Sequence, residues 1–340
     1  MEHLKIPLCE WKALYDAALE FRKIEPWEWM SDSDLFGVQN PKDGQIGYCC
    51  IMGGLGEVLG MAVYIGYEGL EGYKKIASGK IKIGDPDLLY AQDCLLVSYE
   101  NKNQLKREDL QIAKLLGLSP TGRHAWPLFR SYRPGYFPWF LDGDEAVFLS
   151  HALWQAKEVC LRFAADSSII HSLKGRQYLV RVPEQTETDI VWEDRVIKPA
   201  SLKEKIVPEV TVDEFRLQKM KENIPHSSAV WEIDFFHAPT PVRESERPYF
   251  PYAMMIADQE SGFIHDVFLT SPGNYHSEFL MKLFSDIEEL AFLPMEIQVK
   301  KKEALRLFEP YAARLGIRII VSRKLPSIDR ARREMEKHFR

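Results

Sequence analysis

The 340-residue sequence has no apolar run near the ~20 residues that a membrane-spanning helix needs. Its first residues, Met1-Glu2-His3-Leu4-Lys5, lack the basic-then-apolar order of a signal peptide. Cysteine is scarce: Cys9, Cys49, Cys50, Cys94 and Cys160 are odd in number, match no Cys-x-x-Cys zinc spacing and include an adjacent pair. These absences exclude a disulfide framework and lead to the expectation of reduced core thiols in a cytoplasmic protein that does not engage membranes. A Walker sequence, a Gly-x-Ser-x-Gly elbow, internal repeats and low-complexity segments are all missing. Gly54-Leu55-Gly56-Glu57-Val58-Leu59-Gly60 fails as a dinucleotide loop. Its third glycine comes one residue late, and β-patterned residues follow where a helix should begin. A hairpin turn is expected there instead.

What is present is an ordinary globular composition, 46% apolar and 28% charged, with eight Trp. The net charge of −6 is uneven. From Glu296 to Arg340 there are thirteen Lys or Arg against six Asp or Glu, a local +7 that leaves −13 for the remainder. A basic segment on an acidic chain suits an anionic partner such as nucleic acid, or equally a solvated helix face.

Hydrophobic spacing divides the chain. Trp11, Leu14, Tyr15, Ala18 and Phe21 predict an opening amphipathic helix that Pro26 ends. Leu35 to Val38, Gly47 to Met52 and Val58 to Ile65 predict an antiparallel meander, and a helix follows near Leu70 to Ser78. Leu95 to Tyr99 reads as a strand, Lys106 to Leu116 as a helix stopped by Gly117, and 118–141 as irregular. A long helix is predicted from Asp144 to Phe163, and Gln177 to Val182 with Ile190 to Val196 as a second hairpin. Residues 197–210 read as linker, and Thr211-Val212-Asp213-Glu214 opens a short helix. From Ala229 the pattern is strand, strand, strand, helix, strand, helix, strand, helix. The expected domains are 1–200, α+β with a mainly antiparallel sheet; 201–228, linker and short helix; and 229–340, α/β with a mixed sheet.

Two stretches carry candidate chemistry. Arg123 to Trp139 interleaves cations with aromatics and prolines, so rings could stack on bases while Arg130 and Arg133 meet phosphates. Val230 to His237 is an apolar strand with an acid, Asp234, in its middle. A carboxylate buried on a strand is costly without a partner. His226, His237, His265 and His276 lie nearby but show no ligand spacing.

Trp231-x-x-Asp234-Phe235, the turn Asp258-x-x-Ser261-Gly262-Phe263-Ile264 and Leu293-Pro294-x-x-Ile297-Gln298 together resemble the catalytic core of retroviral integrases and transposases. The resemblance covers residues 229–325 and implies a ribonuclease-H-like fold with Asp234 as the first metal-binding acid. Such enzymes hold two Mg²⁺ or Mn²⁺ ions about 4 Å apart between carboxylates. The second acid should stand where this chain has Lys300, which removes a ligand and adds like charge. The third should lie on the last helix, where Asp329, Glu334 and Glu336 are available, and Glu278 could supply an acid of the bacterial ribonuclease H kind. Pro26-Trp27-x-Trp29-Met30 and Asp34-Leu35-Phe36-Gly37-Val38 resemble bacterial domains of unknown function that occur fused to such a C-terminal domain.

The leading expectation is a bacterial binding or scaffold protein with a degenerate ribonuclease-H-like domain and no cofactor. Lys300, Lys301, Arg323, Arg330 and Arg333 would form its binding face, with Arg130 and Arg133 as a second contact for nucleic acid or another protein. One alternative is a Mg²⁺- or Mn²⁺-dependent nuclease using Asp234, Glu278 and Asp329. The other is a purely structural protein-interaction module.

Overall fold

The computed structural model describes residues 6–54, 58–81, 87–186, 189–199, 210–244, 246–273 and 275–338. They form two compact units, Met1–Leu202 and Lys203–Arg340. The chain is α+β overall, with one mixed sheet and its helices in each unit.

In the first unit, helix α1 (Leu8–Lys23) buries the predicted stripe of Trp11, Leu14, Tyr15, Ala18 and Phe21. The sheet is built from β1 (Phe36–Gln39), β2 (Ile46–Met52), β3 (Gly60–Ile65), β4 (Cys94–Glu100), β5 (Trp126–Tyr132), β6 (Tyr178–Gln185) and β7 (Ile190–Ile197). Its order is β5-β4-β3-β2-β1-β6-β7. Neighbours run antiparallel except β1 and β6, which are parallel. Period-two alternation gives each face its own core. Cys49, Ile51, Met61 and Val63 join α1 and the long helix α5 (Gly143–Ala165). Tyr48, Cys50, Ala62 and Tyr64 pack on Leu70 of α2 (Gly66–Ala77).

Residues 118–141, read as irregular, contain strand β5. Its Pro127 lacks the N–H of a central strand, but β5 is the sheet edge, where that donor is not needed. The Gly54–Gly60 turn falls partly on residues 55–57, and most of the 197–210 linker on 200–209, both outside the described residues. Cys49, Cys50, Cys94 and Cys160 are buried free thiols, whereas Cys9, expected in the core, is exposed on the first turn of α1.

A tight contact joins α2 to the short helix α3 (Asp87–Ala91). A Cβ on Gly72 would lie 2.0 Å from the Ala91 carbonyl oxygen, so only glycine allows the two backbones to meet. Gly72→Ala is expected to destabilise the first unit by about 1–3 kcal/mol in urea unfolding, since backbone must shift to admit the methyl. An unchanged unfolding midpoint would refute that contact.

In the second unit, β8 (Val230–His237), β9 (Tyr252–Asp258), β10 (Ile264–Thr270), β11 (Glu296–Val299) and β12 (Arg318–Val321) lie in the order β10-β9-β8-β11-β12. Strand β9 is antiparallel to both neighbours, while β8, β11 and β12 run parallel. The β9–β10 turn is fixed by Asp258, which accepts the Ser261 N–H and hydroxyl, and by Gly262 at φ +71°. One face carries α7 (Glu214–Asn223), α8 (Tyr275–Leu290) and α9 (Lys302–Arg314). The other carries α10 (Pro326–His338), packed on β8 and β9. Helix α7, grouped with the linker in the sequence reading, puts Leu217 and Met220 into this core. It is capped by Asp213, which accepts the Phe215 N–H.

Candidate functional site

Alternation along β8 sorts its side chains. Trp231, Ile233 and Phe235 enter the core under α8 and α9. Glu232, Asp234 and Phe236 therefore point to the opposite face, under α10. Two acids thus sit side by side on the central strand, both sealed: Glu232 is 0% and Asp234 1% exposed.

Each acid is engaged by α10. Glu232 Oε2 accepts the backbone N–H groups of Ser327 and Ile328, at 2.9 and 3.1 Å. It holds the positive end of that helix, where otherwise unpaired donors collect. Asp234 Oδ2 lies 3.3 Å from Arg332 Nη1, and the Arg332 guanidinium also stacks 4.5 Å over the Phe236 ring. Helix spacing puts Asp329 one turn before Arg332 on α10. Asp329 accepts Lys300 Nζ at 2.9 Å and the Leu325 N–H at 3.3 Å. Lys300 itself directly follows β11, beside the middle of β8, where Val299 pairs with Ile233. Lys301 donates to the Tyr252 hydroxyl at 3.2 Å.

The electrostatics follow from this packing. Burial pushes the Glu232 carboxyl above its ordinary value, against the two backbone N–H bonds. Burial also raises Asp234, opposed by the charges of Lys301, Arg332 and Lys300. For Asp329, burial is outweighed by Lys300, the Leu325 N–H and Arg332, so its carboxyl is held below the usual range.

The structure brings Asp234, Lys300 and Asp329 into one constellation, with Arg332 between the two acids. It does not bring Glu278 there. Glu278, on the first turn of α8, accepts the Thr270 hydroxyl at the end of β10. Thr270 pairs with Tyr252 and shares its face, opposite to that of Asp234. Asp234 pairs with Arg332, whereas the Lys300 ammonium goes to Asp329.

The donor set does not fit the divalent ions that the integrase resemblance implies. Mg²⁺ needs several oxygen ligands. Here Arg332 pairs with Asp234, whose carboxylate also feels the charges of Lys301 and Lys300, and one Glu232 oxygen is committed to α10. Among the described residues no three His, Cys, Asp or Glu side chains are placed to share a metal. His237, 4.7 Å from the Tyr252 ring, is lowered to about 4 by burial and meets the Phe250 carbonyl.

Among the candidate binding cations, Arg323, Arg330 and Arg333 are exposed and take part in no hydrogen bond or ion pair among the described residues. Arg330 and Arg333 are three apart on α10 and share a side of the helix. Arg130 is a correction. It is 8% exposed and grips Asp109 with both terminal nitrogens, at 2.9 and 2.7 Å, beneath the Phe140 ring, so it offers no surface. Arg133 is half-exposed but clamps Asp142 and Glu145, the capping pair of α5.

Sequence reasoning missed Glu232 and Arg332. The signal for Glu232 was present, because a residue two before Asp234 on a strand shares its face.

Residues 11–181, half of the chain, match the family model described as domain of unknown function (DUF7309), and residues 216–336 match the one described as domain of unknown function (DUF6930). No curated protein matches. Among solved structures, the chain is similar to a chain of the simian T-cell lymphotropic virus intasome in complex with PP2A regulatory subunit B56 gamma, at 16% identity and TM-score 0.27. That match covers 34% of this chain and 40% of the other. It is also similar to the HTLV-2 integrase catalytic core with magnesium, at 15% identity and TM-score 0.25, covering 33% and 70%. The BIV integrase catalytic core matches at 10% identity and TM-score 0.24, covering 33% and 66%.

Proposed function

We propose that this chain, which belongs to the family described as domain of unknown function (DUF7309), is a non-catalytic nucleic-acid-binding protein whose second unit is a degenerate ribonuclease-H-like domain. The fold reading is supported by the three-strand antiparallel meander, the two added parallel strands and the helices on both faces. The observation that carries the loss of chemistry is the filling of the acid constellation by Lys300 on Asp329 and Arg332 on Asp234. A nuclease would spend those carboxylates on metal ions; here they fasten the last helix to the sheet.

Arg323, Arg330 and Arg333 form the binding face, continued by Lys300 and Lys301. Unpaired guanidiniums suit phosphate contacts, which release counterions and make binding salt-dependent. The 340-residue chain is expected to bind DNA or RNA without cutting it in Mn²⁺. Joint replacement of Arg323, Arg330 and Arg333 by Glu should weaken binding at least about tenfold and reduce the log–log salt slope by up to about three. Mn²⁺-dependent cleavage abolished by Asp234→Asn would overturn this reading in favour of the nuclease. Absence of any salt-sensitive binding would favour the protein-interaction module.

A further inference from the structure

The turn between β9 and β10 holds out an aromatic ring that the second unit does not use for packing. Phe263 is 63% exposed and belongs to neither core of that unit. A lone exposed ring is ordinary on a protein surface. This one is fixed in place beside free cations.

The ring is oriented in advance. The His265 ring meets it edge to face, with centroids 5.5 Å apart. Its backbone is held as well: Phe263 N–H donates to the Ser261 hydroxyl at 3.2 Å, and its carbonyl accepts the Asp258 N–H at 2.8 Å. Helix α10 starts against the same turn, where the Ser327 hydroxyl donates to the Gln259 carbonyl at 3.5 Å. One helical turn later, Arg330 lies over Gly262 so closely that a Cβ there would collide with its Nη2. Glycine at 262 thus brings a guanidinium beside Phe263, and Arg333 continues the line along α10. Neither arginine has a hydrogen-bond or ion-pair partner among the described residues.

The charge of the turn decides what meets the ring. Asp258 and Glu260 flank it and repel phosphate, so a nucleic-acid backbone runs along the α10 arginines and an uncharged base reaches Phe263. A duplex shows a protein only the edges of its bases. An unpaired strand shows their faces, and stacking a base on an aromatic side chain is worth about 1–3 kcal/mol.

We propose that this face takes single-stranded nucleic acid, with one base stacked on Phe263 and the flanking phosphates on Arg330 and Arg333. The inference rests on the nucleic-acid reading of the α10 face and names the form of the ligand.

Fluorescence anisotropy on the 340-residue chain tests it with a short oligothymidylate and a duplex of equal length. The single strand is expected to bind at least about fivefold more tightly than the duplex. Phe263→Ala should weaken the single strand by about five- to one-hundredfold and leave its salt slope unchanged, because no phosphate contact is lost. The ring is mostly in water, so the variant keeps its fold. Phe263→Trp should retain or tighten binding, whereas Phe263→Leu, apolar but without a π face, should resemble Phe263→Ala. Equal or tighter duplex binding, an unchanged affinity in Phe263→Ala, or full rescue by Phe263→Leu would overturn the proposal. If salt-sensitive binding persisted in those cases and still fell on replacing the arginines, the nucleic-acid reading would stand without the stacking. Absence of salt-sensitive binding to either form would remove both.

Discussion

Glu232→Ala is expected to destabilise the second unit by about 2–4 kcal/mol and to loosen α10 from the sheet. The substitution leaves the Ser327 and Ile328 N–H groups buried without an acceptor, at a cost of about 1–3 kcal/mol each, and also opens a void. Relief of a buried charge offsets part of that sum. Glu232→Gln tests the division. Its amide oxygen still accepts from the helix while the charge is gone, so this variant should lie within about 1 kcal/mol of the native protein. The sign of the pH dependence follows from the raised Glu232 carboxyl. An acid raised in the folded state contributes stability below its unfolded value and loses it as pH rises through the folded one. The native protein should therefore lose some stability on going from mildly acidic to neutral pH, and Glu232→Gln should lose less. Urea unfolding at pH 5 and 7.5, with hydrogen exchange of the α10 amides, reads both effects. A Glu232→Ala deficit below 1 kcal/mol would mean that the apolar contacts of Leu325 and Ile328 and the Lys300 and Arg332 ion pairs hold the helix without it.

Arg332→Met should cost about 2–4 kcal/mol at neutral pH. Asp234 is 1% exposed, its Oδ1 has no hydrogen-bond partner among the described residues and its Oδ2 faces Arg332, so the methionine strands a buried charge. The Asp234 carboxyl is already raised by burial, and losing the guanidinium raises it further. Acidification protonates it and removes the cost, so the Arg332→Met deficit should shrink as pH falls toward 5. Asp234→Asn in the same background should restore most of the loss, giving a coupling energy of about 1–3 kcal/mol in the double-mutant cycle. A deficit equal at pH 5 and 8 would place the effect in lost packing on Phe236 instead.

The sequence spoke clearly where local chemistry decides. The Trp11-to-Phe21 stripe became α1, Thr211 to Glu214 announced a helix capped by Asp213, and the Asp258 turn closes as its residues suggest. It spoke poorly where distant residues decide. Strand β5 was hidden because aromatics on both faces and Pro127 mask the period-two pattern that edge pairing with β4 imposes. Arg130 looked like a surface cation because its partner, Asp109, lies on another element twenty-one residues earlier. That Arg332 pairs with Asp234 while Lys300 goes to Asp329 depends on how α10 is rotated over the sheet. No spacing within α10 reveals that rotation. The meeting of Arg330 with the Phe263 turn is likewise a product of the fold.

Glu232 and the helix end it holds are 95 residues apart in the chain. The β8–β9–β10 meander needs only neighbouring sequence, whereas β11, β12 and α10 join it through long crossovers, and non-local pairing is slow. During folding the α10-facing side of the meander, with Phe236, Ala253, Met255 and Ala257, is therefore uncovered before its lid arrives. At that stage Glu232 and Asp234 are hydrated and ionised. They act as gatekeepers, two negative charges amid an apolar sheet face that would otherwise invite aggregation through that face. Carboxylates that cost stability in the finished unit would thus protect its assembly. Replacing both with isosteric amides should trade a higher unfolding midpoint for a lower yield of soluble protein on refolding at high concentration.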